Sequence, residues 1–203
     1  MPFLKQQIEI INSELLERSL KDARFQSGRF ESIAVDVSRD AGEGKIETFP
    51  AIMNNNYEAT PITVDDTYPI MIYHKIFSKV YSAENKGNFG DGNNYMIEKA
   101  DCRMVVYGKY AALKLTAEQL EALITSGFPS GIAKSKIAAY KLDNMTVTLT
   151  GSILNAAVVF QEEYKGFDLF LAPEDILFSV RYNIESRFRK GCFTICDCES
   201  GVS

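Results

Sequence analysis

The chain has 203 residues, 46% of them apolar and 24% charged, a balance that suits a folded soluble protein and excludes wholesale disorder or a fibrous repeat. Lysine and arginine number 22 against 27 acidic residues, a net charge of -5, so the overall positive field of a nonspecific DNA binder is missing. No stretch reaches the roughly 18 uninterrupted apolar residues of a membrane span, and the charges scattered through "MPFLKQQIEIINSELLERSL" do not fit a signal peptide, so a cytoplasmically made product is expected.

Leu4, Ile8, Ile11 and Leu15 recur at helical spacing and predict an amphipathic helix over residues 3–20, with Pro2 at its entrance. After Gly28, "RFESIAVDVS" reads as a short strand, and Gly42 with Gly44 mark a turn before "KIETFPAIMNN". Residues 54–68 combine an Asn cluster, Pro61 and the pair Asp65 and Asp66, the composition of a loop or weakly paired excursion. "YPIMIYHKIFSKVY" has the apolar density of a strand, although Ile72, Ile76 and Val80 also sit at helical spacing. The Gly- and Asn-rich "SAENKGNFGDGNN" then predicts an exposed hairpin tip over about 82–94, leading into the strand "YMIEKADCRMVVYG". Met96, Ala100, Cys102, Met104 and Val106 share the inward parity of that strand.

Thr116 and Gln119 form a capping box for a helix with Leu120, Leu123 and Ile124 on its apolar face, stopped by Gly127 and Pro129. "SGIAKSKIAAYKLDN" is a connection, and "MTVTLTG" and "ILNAAVVFQEEY" read as strands. The closing strand, "DILFSVRYNIESRFRKG", alternates almost without a break. Ile176, Phe178, Val180, Tyr182, Ile184 and Phe188 share one parity; Ser179, Arg181, Asn183, Glu185, Arg187 and Arg189 share the other. Without internal repeats or a linker, the expectation is one α+β domain over 1–203. Its mainly antiparallel sheet is packed on one side by the N-terminal and central helices, with a tail over about 192–203.

The chemistry-bearing residues do not converge. The sole histidine, His74, alternates with Ile72 and Ile76, as a structural residue of a strand would. The glycines of "KGNFGDGNN" match neither phosphate-binding fingerprint. Cys102, Cys192, Cys196 and Cys198 are expected to be reduced thiols, and the C-x3-C-x-C trio lacks the second knuckle of established zinc modules. No catalytic residue, metal ligand or cofactor site is therefore assigned. A nucleic-acid-associated or zinc-binding accessory protein stands as the alternative, resting on the arginines and the cysteine trio. The functional residues expected are Arg181, Asn183, Glu185, Arg187 and Arg189, the ionic side of the last strand, as a subunit interface whose charges set register and partner choice.

The order of an N-terminal helix, "FPAIMNN", "YPIMIYHKIF", "FGDGNNYMIEKADCRMVVYG", a capped helix and "APEDILFSVRYNIESRF" resembles tail terminator and neck ring proteins of tailed bacteriophages, particularly crAss-like phages. The resemblance covers most of the chain. It implies a tail-terminator-like fold and a noncatalytic virion protein forming a homo-oligomeric ring, a head-to-tail connector around the DNA channel. Its partners would be adjacent portal, neck or tail proteins, with nonspecific contact to genomic DNA in the channel and none to a membrane. Residues 54–68 and 192–203 depart from the simple terminator pattern and read as docking arms to adjacent layers.

Overall fold

A computed structural model describes residues 2–54, 56–63, 67–84, 95–130, 132–138, 142–168 and 171–189. The helices are α1 (Pro2–Arg18), α2 (Ala23–Gln26), α3 (Tyr110–Leu113), α4 (Ala117–Gly127), α5 (Lys134–Ala138) and α6 (Ala156–Glu163). The strands are β1 (Arg29–Asp40), β2 (Ile46–Met53), β3 (Ala59–Pro61), β4 (Ile70–Glu84), β5 (Tyr95–Lys109), β6 (Leu142–Ile153) and β7 (Asp175–Arg189). They form one seven-stranded sheet in the order β3-β2-β1-β4-β5-β7-β6. Every adjacent pair is antiparallel except β1 with β4, which run parallel over Arg29–Ile33. The protein is thus an α+β fold on a single, mostly antiparallel sheet.

The inner face of the sheet carries the larger core. On β7, Ile176, Phe178, Val180, Tyr182, Ile184 and Phe188 are all buried, as their alternation requires. Opposite them on β5 lie Ala100, Cys102, Met104 and Val106, and Leu4, Ile8, Ile11 and Leu15 of α1 close over the same cluster with Leu120 and Ile124 of α4. Each such side chain contributes about 1.5–3 kcal/mol on burial. The capping box of α4 forms as its residues dictate: Gln119 N–H donates to Thr116 Oγ1 at 3.3 Å, and Thr116 N–H to Gln119 Oε1 at 3.0 Å.

Two expectations change. Helices do not lie on one side only: a second core of Ala34, Ile62, Met71, Tyr73, Val105, Tyr107 and Leu177 packs on the outer face beneath Val159, Phe160 and Tyr164. Those last residues belong to or follow "ILNAAVVFQEEY", which forms helix α6 and not a strand. Asn155 caps it by accepting the Val158 N–H at 3.2 Å, and Val159, Phe160 and Glu163 turn inward at helical spacing, which outweighs the β-propensity of the valine pair. Within residues 54–68, Ala59–Pro61 pairs with β2 as a short strand and Ile62 is fully buried, so that segment is tied down at its middle.

The closing strand is not an edge. β7 is bonded to β5 along all 15 of its residues and to β6 on its other side from Ser179 to Phe188, so over that length its backbone is already engaged and its side chains are what a neighbour can meet. The outer edge of β6 is itself met in part by the chain, through Val147 N–H to Ser130 C=O at 3.3 Å and Ile132 N–H to Met145 C=O at 3.5 Å. Asp65, Asp66, most of the hairpin tip, Cys192, Cys196, Cys198 and the 192–203 tail lie outside the described residues.

Candidate subunit-contact face

β4, β5 and β7 each run 15 residues, about 50 Å at 3.3 Å per residue. The inner face is covered along this whole length of β7, from Ile176 to Phe188. Among the described residues the outer face is covered only at the end where α6 lies. Along β5 the cover ends after Tyr107, Val105 and Arg103, and along β7 after Leu177 and Ser179. Beyond that line the same face presents Asp101 and Lys99 on β5 and Arg181, Asn183 and Glu185 on β7. The expected contact residues are therefore brought together, apart from Arg189, whose side chain lies outside the described residues. Ser179, on the same parity, is buried and belongs to the covered half.

A bulge prepares this open half. Ile76 faces Cys102 and Ser78 faces the next residue of β5, Asp101, so Phe77 is the extra residue of β4 and is 50% exposed. The bulge reverses the parity of β4. Upstream, Ile70, Ile72, His74 and Ile76 point to the inner core; downstream, Ser78 and Val80 share the outer face, and Val80 is 60% exposed. Lys79 instead comes to the inner face, where it pairs with buried Glu98 at 3.2 Å, and Gln7 of α1 donates to Glu98 at 3.3 Å and to Ser186 at 2.9 Å. Burial opposes the charge on Lys79, but its bonds to Tyr81 and Glu98 outweigh this and raise its pKa.

The open half is a shallow trough of about 490 Å³ lined by Ser78, Val80, Lys99, Asp101, Thr148 and Asn183 among others. Its charges fall into two kinds. Lys99 and Glu185, directly opposite each other, pair at 2.8 Å, and Arg187 lies 3.6 Å from Asp143 with its guanidinium 3.8 Å from the Tyr95 ring. Arg181 has its guanidinium over the Phe77 ring at 5.3 Å and makes no ion pair among the described residues, and neither does Asp101.

At the rim, where α6 ends the cover, a second set of charges is buried. Glu163 accepts from Lys75 at 2.6 Å, Arg103 at 3.2 Å and the Tyr73 hydroxyl at 3.1 Å; Lys75 also reaches Asp36 at 2.5 Å and Arg103 reaches Glu162 at 2.6 Å. Burial, with the carboxylate beside it, holds the Tyr73 phenol far above its ordinary pKa. This knot straps α6 to β4 and β5, and only the spacing of Glu163 from Val159 and Phe160 on a helix, not on a strand, signals it in the sequence.

His74 lies on the inner face and is fully buried. Asn12 Nδ2 donates to the Glu31 carbonyl at 3.1 Å, so Asn12 Oδ1 is an acceptor and takes its bond at 2.9 Å from His74 Nε2–H. Nδ1 is then the acceptor for the Tyr182 hydroxyl at 2.7 Å. Burial lowers the imidazole pKa to about 3, so the ring is neutral and both nitrogens are occupied. The arrangement is that of a structural hydrogen-bonding group. Among the described residues no cluster of His, Cys, Asp or Glu is placed to hold a metal, and no helix is long and apolar enough to cross a membrane.

No protein-family model matches this sequence, and no curated protein matches it.

Proposed function

We propose that this chain is a noncatalytic structural protein of a tailed-phage virion, a subunit of an oligomeric ring in the neck or tail that connects head to tail around the DNA channel. The observation that carries this reading is the half-covered outer face. Three strands stay paired well past the end of α6, with one bulge at Phe77, and their far half displays Arg181, Asn183 and Glu185 beside Asp101 and exposed Phe77 and Val80. The inner face of this half is taken up by the core beneath α1, which leaves its outer side chains free to meet a neighbour, where a pattern of charges and exposed apolar groups would set the register. The resemblance of the element order to tail terminator and neck ring proteins supplies the virion setting.

The nucleic-acid alternative finds less support on this face, because Lys99, Arg181 and Arg187 are offset by Asp101, Asp143 and Glu185 and leave no positive strip to release counterions from phosphates. The mass of the purified full chain by light scattering, with images of the particles, tests the reading. Closed rings support it; a chain that stays monomeric, also when mixed with portal and tail proteins of a tailed phage, overturns it.

A further inference from the structure

The open half of the outer face holds a cation and an anion side by side that make no ion pair among the described residues, and this arrangement selects an occupant. Arg181 stands directly opposite Arg103, and Asp101 directly opposite Asn183, so Arg181 and Asp101 are diagonal neighbours, roughly 7–8 Å apart. Like charges placed opposite each other in a ladder are unfavourable. Arg103 is buried and gives Nη1 to Glu162 and Glu163, but its Nε and Nη2 have no hydrogen-bond partner. Glu162 and Glu163 are thus engaged by Arg103 and are not available to Arg181, so a carboxylate for Arg181 has to come from a neighbour. Asp101 presents the reverse need.

We infer that this face packs against the same face of a second copy of the chain about a two-fold axis, with Arg181 of each copy taking Asp101 of the other. The inference rests on the subunit-contact reading above and names what lies against the surface. An axis in the plane of the contact, crossing the line between the two charges at its midpoint, sets Asp101 of one copy over Arg181 of the other and repeats the pair on the opposite side of the axis. Exposed Phe77 and Val80, both on β4, lie to one side of this line and supply the apolar contact that an interface of charges alone lacks. Lys99 and Glu185 are satisfied within the chain and form the polar border. A polyanion would meet Asp101 and Glu185 along with the arginines; a purely acidic or purely basic partner would satisfy one of the two charges and repel the other. The chain's own face, turned by half a revolution, satisfies both.

A two-fold contact closes on itself, so it joins copies in pairs and cannot alone propagate a ring. A ring that uses it has two layers stacked through this face and an even number of copies, with lateral contacts made elsewhere on the subunit.

Charge reversal in the full chain tests this. By symmetry Arg181→Asp alone breaks both pairs and creates two like-charge contacts, as does Asp101→Arg alone. Each is expected to weaken pairing at least about 100-fold in sedimentation equilibrium, with unchanged circular dichroism because both residues sit on the open surface. Mixing the two variants restores opposite charges at both contacts: the introduced aspartate of one meets the introduced arginine of the other, and the retained Asp101 meets the retained Arg181. The mixture is therefore expected to pair again as a heterodimer. Three results overturn the inference: single reversals that associate like the wild type, a mixture that stays unpaired, or DNA binding lost in Arg181→Asp without any change of mass. In the first of these cases wild-type rings remain and the ring reading stands. A wild type that never associates fails the ring reading itself.

Discussion

His74 is the chain's sole histidine, so between pH 7 and 5 it is the one side chain whose ordinary titration falls in the window. In the folded protein burial lowers its pKa from 6.5 to about 3. The unfolded chain therefore takes up a proton as pH falls through 6.5, while the folded chain does not until near pH 3. The stabilising effect of the neutral ring is complete above 6.5 and is lost progressively below it, at up to about 1.4 kcal/mol per pH unit. Integrated from pH 7 to 5, before carboxylates contribute heavily, the loss is about 2 kcal/mol. For a chain of this size that lowers the melting temperature by about 4–8 °C. Urea titrations at pH 7, 6 and 5, followed by far-ultraviolet circular dichroism, measure it. His74→Gln loses bonds to Tyr182 and Asn12 and starts from a lower stability, but its pH 7-to-5 difference is expected to shrink to a fraction of the wild-type value. Equal slopes in the two proteins would refute the reasoning, because the proton would then be going elsewhere.

Glu163→Gln removes the charge shared by Lys75, Arg103 and Tyr73; Asp36 and Glu162 keep one bond each to the two cations, so the expected loss is about 2–4 kcal/mol in denaturant unfolding, against under about 1 kcal/mol for Glu162→Gln on the exposed side of the knot. Gly166 has φ +82° and an added Cβ would press on the Ile46 carbonyl, so Gly166→Ala is expected to cost about 1–3 kcal/mol, measured by thermal unfolding. Cys102 is fully buried and burial pushes its thiol up to about 12, so iodoacetamide at pH 8 leaves its peptide unmodified in the native protein and alkylates it completely in denaturant; rapid native labelling would contradict the packing.

Much of this fold is written in local pattern. The parity of β7 needs no tertiary information: six apolar residues at even spacing can be buried together in only one way. The capping box at Thr116 and Gln119 is equally self-contained. What escapes local reading is whatever depends on a partner element. "AAVVF" has the β-branched content of a strand, and it is the Asn155 cap together with the aligned inward row of Val159, Phe160 and Glu163 that makes it a helix. Once it is a helix, it needs a second apolar surface to cover, and Tyr73, Val105, Tyr107 and Leu177 provide one from positions that alternate with the main core. The same positions read along the chain look like an irregular mixture of apolar and charged residues. The contact face was legible as an ionic row on β7, but its boundary at Arg103 and Arg181 is set by where α6 ends, and no residue of β7 encodes that.

The bulge at Phe77 ties the two halves of the sheet together, and removing it separates its structural from its surface role. Ile76 and Ser78 already face consecutive residues of β5, so deleting Phe77 heals the ladder without moving any residue on either side to the other face. Lys79 would keep Glu98, and His74 would keep Tyr182 and Asn12. The deletion variant is therefore expected to unfold cooperatively within about 2 kcal/mol of the wild type. What it loses is the ring beneath Arg181 and part of the apolar contact of the exposed patch, so its self-association in sedimentation should fall while its fold persists. A chain that fails to fold without Phe77 would mean that the added twist of the bulge is needed to seat α1 and α6 on opposite faces, and the exposed ring would then be a by-product of packing.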